Sequence, residues 1–100
     1  MTVICIDDFF PEDFRKFYEI HGVVTPYLNC TYTVRDVVNT RWGIGLHLNE
    51  LKNPLVPLYG EGETGMKAEP NWSIRRFTNI DGTELQLEQW YELKQVNKTV

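Results

Sequence analysis

Residues 30–51 read CTYTVRDVVNTRWGIGLHLNEL, and their reading decides the fold. Residues 31–38 are rich in Thr, Tyr and Val, which favour a pleated, half-buried strand. Residues 42–51 open on Trp42, carry Gly43 and Gly45, and then place Leu46 and Leu48 on either side of His47. That alternation predicts a second strand. Arg35-Asp36 marks a strand end, and the polar run Asn39-Thr40-Arg41 marks a hairpin turn. Two glycines on one face leave it bare, which fits a bulge, close approach of another chain or, as the favoured expectation, a tight bend at a barrel corner.

Around this pair the chain is short. One hundred residues make one domain, and 42% hydrophobic residues suffice for a core. The formal net charge of −4 disfavours a general affinity for nucleic acid. The two cysteines, Cys5 and Cys30, sit in apolar strand-like runs, and the expectation is two buried, inert thiols without a disulfide. The start of the chain is acidic at Asp7 and Asp8, so no secretory signal is expected. No apolar run has transmembrane length. A cytoplasmic location away from membranes is the default.

Residues 2–6, TVICI, form the first expected strand, apolar enough for burial on both faces. Asp7-Asp8 ends it. A metal site there lacks a third ligand, so neither metal nor cofactor is expected. Residues 9–22, FFPEDFRKFYEIHG, are the best local helix. Pro11 suits the first helical position, and Glu12 and Asp13 suit the positive end of the dipole. Phe10, Phe14, Phe17 and Tyr18 share one broad face. That stripe favours a helix side covering a barrel end over a partner surface; a strand over residues 18–24 is the local alternative. His21 and His47 stand outside any ligand-like spacing.

Pro26 holds residues 23–28 extended. Pro54 stops the second strand of the central pair. Residues 55–70 read as a long loop rich in glycine and acid, unlike a phosphate cradle. Residues 71–76, NWSIRR, predict a single helical turn, and residues 77–80 a closing strand before the Asp81-Gly82 turn. Thr83 with Gln86 fits a capping box, so residues 83–96 are expected to form a C-terminal helix.

This order resembles small, SH3-like barrel proteins of phage and prophage genomes, uncharacterised in function. The matching residues are Cys5, Tyr32, Thr33, Val34, Leu48, Glu50, Asn53, Pro54, Arg76 and Phe77. The resemblance implies a mainly β fold with one or two short helices, a small SH3-like partly open barrel spanning residues 1–100. Residues 9–22 then form an inserted aromatic segment and residues 83–100 a C-terminal extension. It implies no catalytic residues.

The chain has no nucleophile–base set and no metalloprotease or hydrolase motif, so an enzyme is not expected. The favoured reading is a non-enzymatic interaction module for an unknown protein partner. The aromatics Trp42, Tyr59, Trp72 and Tyr32 are the candidates to line a cleft. The alternative is an accessory protein for single-stranded nucleic acid. For it, Arg41-Trp42 and Trp72 with Arg75 and Arg76 supply pairs of cation and ring. The binding candidates are thus Trp42, Tyr59, Trp72, Arg75 and Arg76. A homo-oligomer is a further possibility, because an open barrel has edge strands that need covering.

Overall fold

The structure, a computed structural model, describes residues 1–57 and 66–86. It is mainly β, with one α-helix and a five-stranded antiparallel sheet. In chain order the elements are β1 (Thr2–Cys5), α1 (Glu12–Ile20), β2 (Thr31–Thr40), β3 (Gly43–Leu48), β4 (Val56–Pro57), β5 (Lys67–Ala68), β6 (Trp72–Ser73), a 3-10 helix (Ile74–Arg76) and β7 (Phe77–Asn79). The large sheet has the order β6-β3-β2-β1-β7, and β4 pairs with β5 in a separate ribbon.

The expected central hairpin is present, with β2 running on to Thr40 past the expected end at residue 38 and β3 taking up only Gly43–Leu48 of the expected 42–51. Arg35-Asp36 does not end β2. The register steps from Val34 opposite Leu48 to Asp36 opposite His47, so Arg35 is the extra residue of a β-bulge. A bulge bends its strand, and β2 uses the bend to serve two neighbours. Its first half pairs with β1 and its second half with β3.

Strands β6 and β7 lie at opposite ends of the sheet, yet only the 3-10 helix separates them. Five strands laid flat would hold their outer members about 19 Å apart. A 3-10 path of about 2 Å per residue spans only about 8 Å over the same connection. The sheet is therefore strongly curled. Its edges approach without pairing, so it remains open among the described residues.

The concave face holds the core. Val3 and Cys5 of β1 are fully buried, with Tyr32 and Val37 from β2, Leu46 and Leu48 from β3, Trp72 and Phe77 beside them. Burial of β1 on both faces does not occur: Ile4 is half-buried and Ile6 exposed. An antiparallel sheet of this size packs one face and leaves the other to solvent, so alternate residues go outward. Cys30 is exposed as well, against expectation, because it stands just before β2, where the sheet ends.

The aromatic stretch forms a helix, Glu12–Ile20, which excludes the strand alternative for residues 18–24. Pro11 is its N-cap, one place earlier than expected. The two expected tail features differ. Residues 71–76 are part strand and part 3-10 helix. Residues 83–86 are extended: Thr83 closes a turn on Asp81 and Asn79, and Glu84 bridges Thr78. The Thr83 hydroxyl is committed to Asp81, so it does not cap a helix. Residues 87–100 lie outside the described residues, as do residues 58–65 of the long loop. The flanks of that loop are not irregular; they are the paired strands β4 and β5.

Candidate functional site

Helix α1 packs Phe14, Phe17 and Tyr18 against the core. Its N-terminal approach is pinned by Arg76, whose Nη1 donates to the carbonyls of Asp7 (3.1 Å) and Phe9 (2.8 Å). The same guanidinium lies 3.8 Å from the centre of the Phe10 ring and 3.4 Å from Asp7 Oδ1. Phe10 is thereby pressed inward, where it meets Trp72 and Tyr18 edge to face, with centroids 5.7 and 5.5 Å away. Trp72 and Tyr18 are themselves 5.6 Å apart. This three-ring cluster joins helix and sheet, and offset aromatic pairs add to what their burial contributes.

Beyond the cluster the helix and the sheet diverge. Between them runs an open groove of about 670 Å³. Phe14, Phe17 and Tyr18 of α1 form one wall. Trp72 is the floor. The hairpin tip at Thr40, Arg41 and Trp42, with Ile44, forms the opposite wall, and the β4–β5 ribbon closes one end through Val56, Pro57 and Ala68. Trp42 is 79% exposed at the rim, and Arg41 lies 5.2 Å from its ring. It stands in the turn rather than opening β3. The turn is held by Thr40 Oγ1, which donates to the Gly43 carbonyl and accepts from the Trp42 amide. Gly43 follows at φ +116°, a conformation that side chains disfavour.

The segment 69–71 sets the depth of the groove. Glu69 is paired with the bulge residue Arg35 and accepts from the Asn53 amide. Its carbonyl lies 3.3 Å from His47 Nε2, which must carry the ring proton to donate there. His47 is thus half-buried and structural, on the strand face away from Leu46 and Leu48. Asn71 then drops onto the bare face of Gly45. A Cβ at Gly45 would lie 2.0 Å from Asn71 Oδ1. The missing side chain therefore serves a close approach by Asn71 of the same chain, where a barrel corner was expected.

Several ionisable groups are perturbed, and none points to acid–base chemistry. Burial pushes the Tyr18 hydroxyl up, and the Arg76 guanidinium partly offsets this. Glu50 is held below the usual carboxylate value because it accepts from the Thr33 amide. Among the described residues no group of three or more His, Cys, Asp or Glu could hold a metal ion. One polar atom stands out: Trp72 Nε1 is buried and has no hydrogen-bond partner among the described residues. Such orphan donors are uncommon in folded proteins.

The five sequence candidates separate here. Trp42, Trp72 and Arg76 all border the groove. Trp42 is free to meet a ligand, Trp72 is 1% exposed, and Arg76 is occupied by the chain entering α1. The expected pairing of Trp72 with Arg75 and Arg76 does not form, because Phe10 takes the Arg76 guanidinium. Arg75 is exposed. Tyr59 lies outside the described residues. Tyr32, also placed in a cleft, is in the core, where its hydroxyl accepts from the Tyr27 amide. The groove-lining role of Phe14 and Phe17 is the element that sequence reasoning assigned to covering instead. Its only signal was the aromatic stripe itself.

Models of known protein families, curated proteins and solved structures were all compared with the chain, and none matches it. No helix among the described residues is long and apolar enough to cross a membrane.

Proposed function

We propose that this chain is a non-enzymatic interaction module that holds an apolar segment of a protein partner between α1 and the β2–β3 hairpin tip. The observation that carries the proposal is the aromatic groove, with an exposed Trp42 on its rim and the buried Trp72 at its floor. Grooves of this volume with apolar walls and few polar groups are the usual form of binding sites. Exposed tryptophans are favoured anchors, because they bury much area for little side-chain entropy.

We assign the module to the SH3-like, partly open barrels, of the kind resembled by the proteins of phage and prophage genomes. Support comes from the curled five-strand order and the 3-10 connection between its two edges.

The test is a random peptide library panned on the folded chain, followed by titration of the enriched peptides against Trp fluorescence. The expected result is peptides rich in apolar residues whose affinity falls about 30-fold or more in Trp42→Ala, the loss typical of a hot-spot anchor. Peptides that bind Trp42→Ala and Phe14→Ala as well as the parent chain would refute the groove. The nucleic-acid alternative retains one observation, the Arg41–Trp42 pair at the hairpin tip. An oligonucleotide that quenches Trp42 with steep salt dependence, with no peptide enriched, would replace the proposal by that reading.

A further inference from the structure

The two cysteines are 25 positions apart in the chain, yet the sheet sets them side by side. Strand β1 pairs with β2 through Thr2–Thr33, Val3–Tyr32 and Ile4–Thr31. One residue further on, Cys5 faces Cys30, and the Cys5 amide donates to the Cys30 carbonyl at 3.0 Å. The partner bond is shifted: the Cys5 carbonyl accepts from Asn29 at 2.8 Å. Asn29 has φ +67°. These features define a bulge in which Asn29 and Cys30 together oppose Cys5. The Cys30 amide donates back to the Tyr27 carbonyl at 3.2 Å and closes the tight turn that leads into it.

Alternation along each strand fixes the sides. Cys5 shares the inward face with Val3, both fully buried. Cys30, the second residue of the bulge, lies two positions before Tyr32 and next to the first residue of β2, and Tyr32 is buried opposite Val3. Both thiols therefore belong to one face of the sheet, at the end where it opens to solvent. The 3.0 Å bond from the Cys5 amide to the Cys30 carbonyl holds the two backbones at cross-strand spacing, where facing Cα atoms lie about 4.5–5.5 Å apart, inside the range of about 4.4–6.8 Å that a disulfide spans. Both thiols also act on one hydroxyl: after burial, which dominates, Cys30 and Cys5 each push the Tyr32 phenol up. Cys5 is buried and donates to the Asp7 carbonyl at 3.5 Å, whereas Cys30 is exposed; both are free thiols here.

We propose that Cys5 and Cys30 are a modification site, a vicinal pair across the β1–β2 ladder that closes to a disulfide under a hydroperoxide. The exposed Cys30 thiolate attacks the peroxide oxygen. The O–O bond breaks, the alkoxide takes a proton and leaves as alcohol, and Cys30 becomes a sulfenic acid. Cys5 turns from the Asp7 carbonyl and its sulfur attacks Cys30 Sγ. The S–O bond breaks, and the departing hydroxide takes the Cys5 proton and leaves as water. Two thiols are oxidised by two electrons, and one hydroperoxide is reduced to alcohol and water. The closed loop contains α1, so the bridge fastens the base of the helix that walls the groove. The site itself rests on strand register alone and stands whether or not the groove binds a partner.

The test uses the full chain, reduced, then equilibrated with mixtures of reduced and oxidised glutathione, both folded and in concentrated urea. The readouts are intact mass and a peptide map. The expected result is a monomer lighter by two hydrogen atoms, with Cys5 and Cys30 in one linked peptide. Its equilibrium constant against glutathione should be about tenfold or more higher in the folded chain than in urea, because the ladder holds the thiols together. Glutathione on Cys30 with Cys5 left free, a covalent dimer through Cys30, or equal constants in both states would overturn the proposal. In Cys30→Ser, a change at an exposed position, hydroperoxide should leave Cys5 intact. Oxidation of Cys5 there at the parent rate would refute the order of steps.

Discussion

Replacing Gly45 by alanine tests whether the segment carrying Asn71 and Trp72 is held by close approach. An alanine Cβ would lie 2.0 Å from Asn71 Oδ1, 2.7 Å from Cγ and 3.2 Å from Cβ. Real Cβ atoms essentially never come within 3.0 Å, so the amide must move by about 1 Å or swing away. Asn71 is half-buried between β3 and the groove, so its escape disturbs the neighbouring Trp72. Overpacking of this kind costs about 1–3 kcal/mol. Alanine also restricts the unfolded chain, which offsets about 0.4–1 kcal/mol. The expected net loss is about 1–2 kcal/mol, read as a lower urea midpoint at unchanged slope. For a chain of this size the melting temperature falls by about 4–8 °C for each kcal/mol. Asn71→Ala removes Oδ1 and Cγ and leaves only the 3.2 Å contact. In that background Gly45→Ala should be close to neutral, giving a coupling of about 1 kcal/mol or more. A Gly45→Ala chain as stable as the parent, or strict additivity in the double variant, would refute the reasoning.

Four further outcomes follow from the same geometry. Arg76→Ala should lower stability by about 2 kcal/mol in urea unfolding, since it removes charged hydrogen bonds to Asp7 and Phe9 and the stack on Phe10; Arg76→Lys should recover less than half, lacking the planar fork. Trp42→Phe should remove most of the iodide-accessible fluorescence contributed by the two described tryptophans, because Trp72 is 1% exposed and Trp42 79%; unchanged quenching would place Trp42 inside. Glu50 and Asp81 have lowered pKa values in the folded chain, held by the Thr33 amide and by the Thr83 hydroxyl and amide. The stability they contribute is fully present above their ordinary values of 4.5 and 3.8 and is lost as pH falls through the lower folded values. In Glu50→Gln the acid limb of stability against pH should therefore flatten. Finally, closing Cys5 to Cys30 should stabilise the chain by about 3.5 kcal/mol on loop-entropy grounds, and a thermal melt of the oxidised form no higher than that of the reduced one would count against an unstrained bridge.

Much of the fold is legible in particular residues. Thr, Tyr and Val in 31–38 with Leu46 and Leu48 announce the hairpin, although its turn forms at Arg41-Trp42, after the expected Asn39 and Thr40, which pair in β2. Pro11, Glu12 and the aromatic stripe announce α1 within a few residues of its limits. What misleads has a common cause. Arg35-Asp36 looks like a strand end because a bulge leaves one residue unpaired, and local sequence does not distinguish an unpaired residue from an ending. Thr83 looks like a helix cap, but its hydroxyl answers Asp81 two residues earlier. The groove was less legible still. The sequence marks Trp42 and Trp72 alike as aromatic, and only packing sends one to the rim and the other to the floor.

Several residues of the phage-like resemblance prove to have structural work. Cys5, Tyr32, Leu48 and Phe77 are in the core. Glu50 accepts from the Thr33 amide, and Asn53 clasps Val24 through both its amide and its carbonyl. These are packing and hydrogen-bonding roles and carry nothing about activity, because function resides in sites.

By itself the sequence determined the local content of this protein: which runs pleat, where the helix starts, which residues turn the chain. These follow from side-chain preference and periodicity, which act over a few residues. The tertiary structure alone decided everything that depends on residues far apart in the chain. It set Asn71 on Gly45, laid Arg76 on Phe10, opened a groove between α1 and the hairpin tip, and brought Cys5 opposite Cys30. Strand register and sheet curl fix those meetings, and both are properties of the whole sheet.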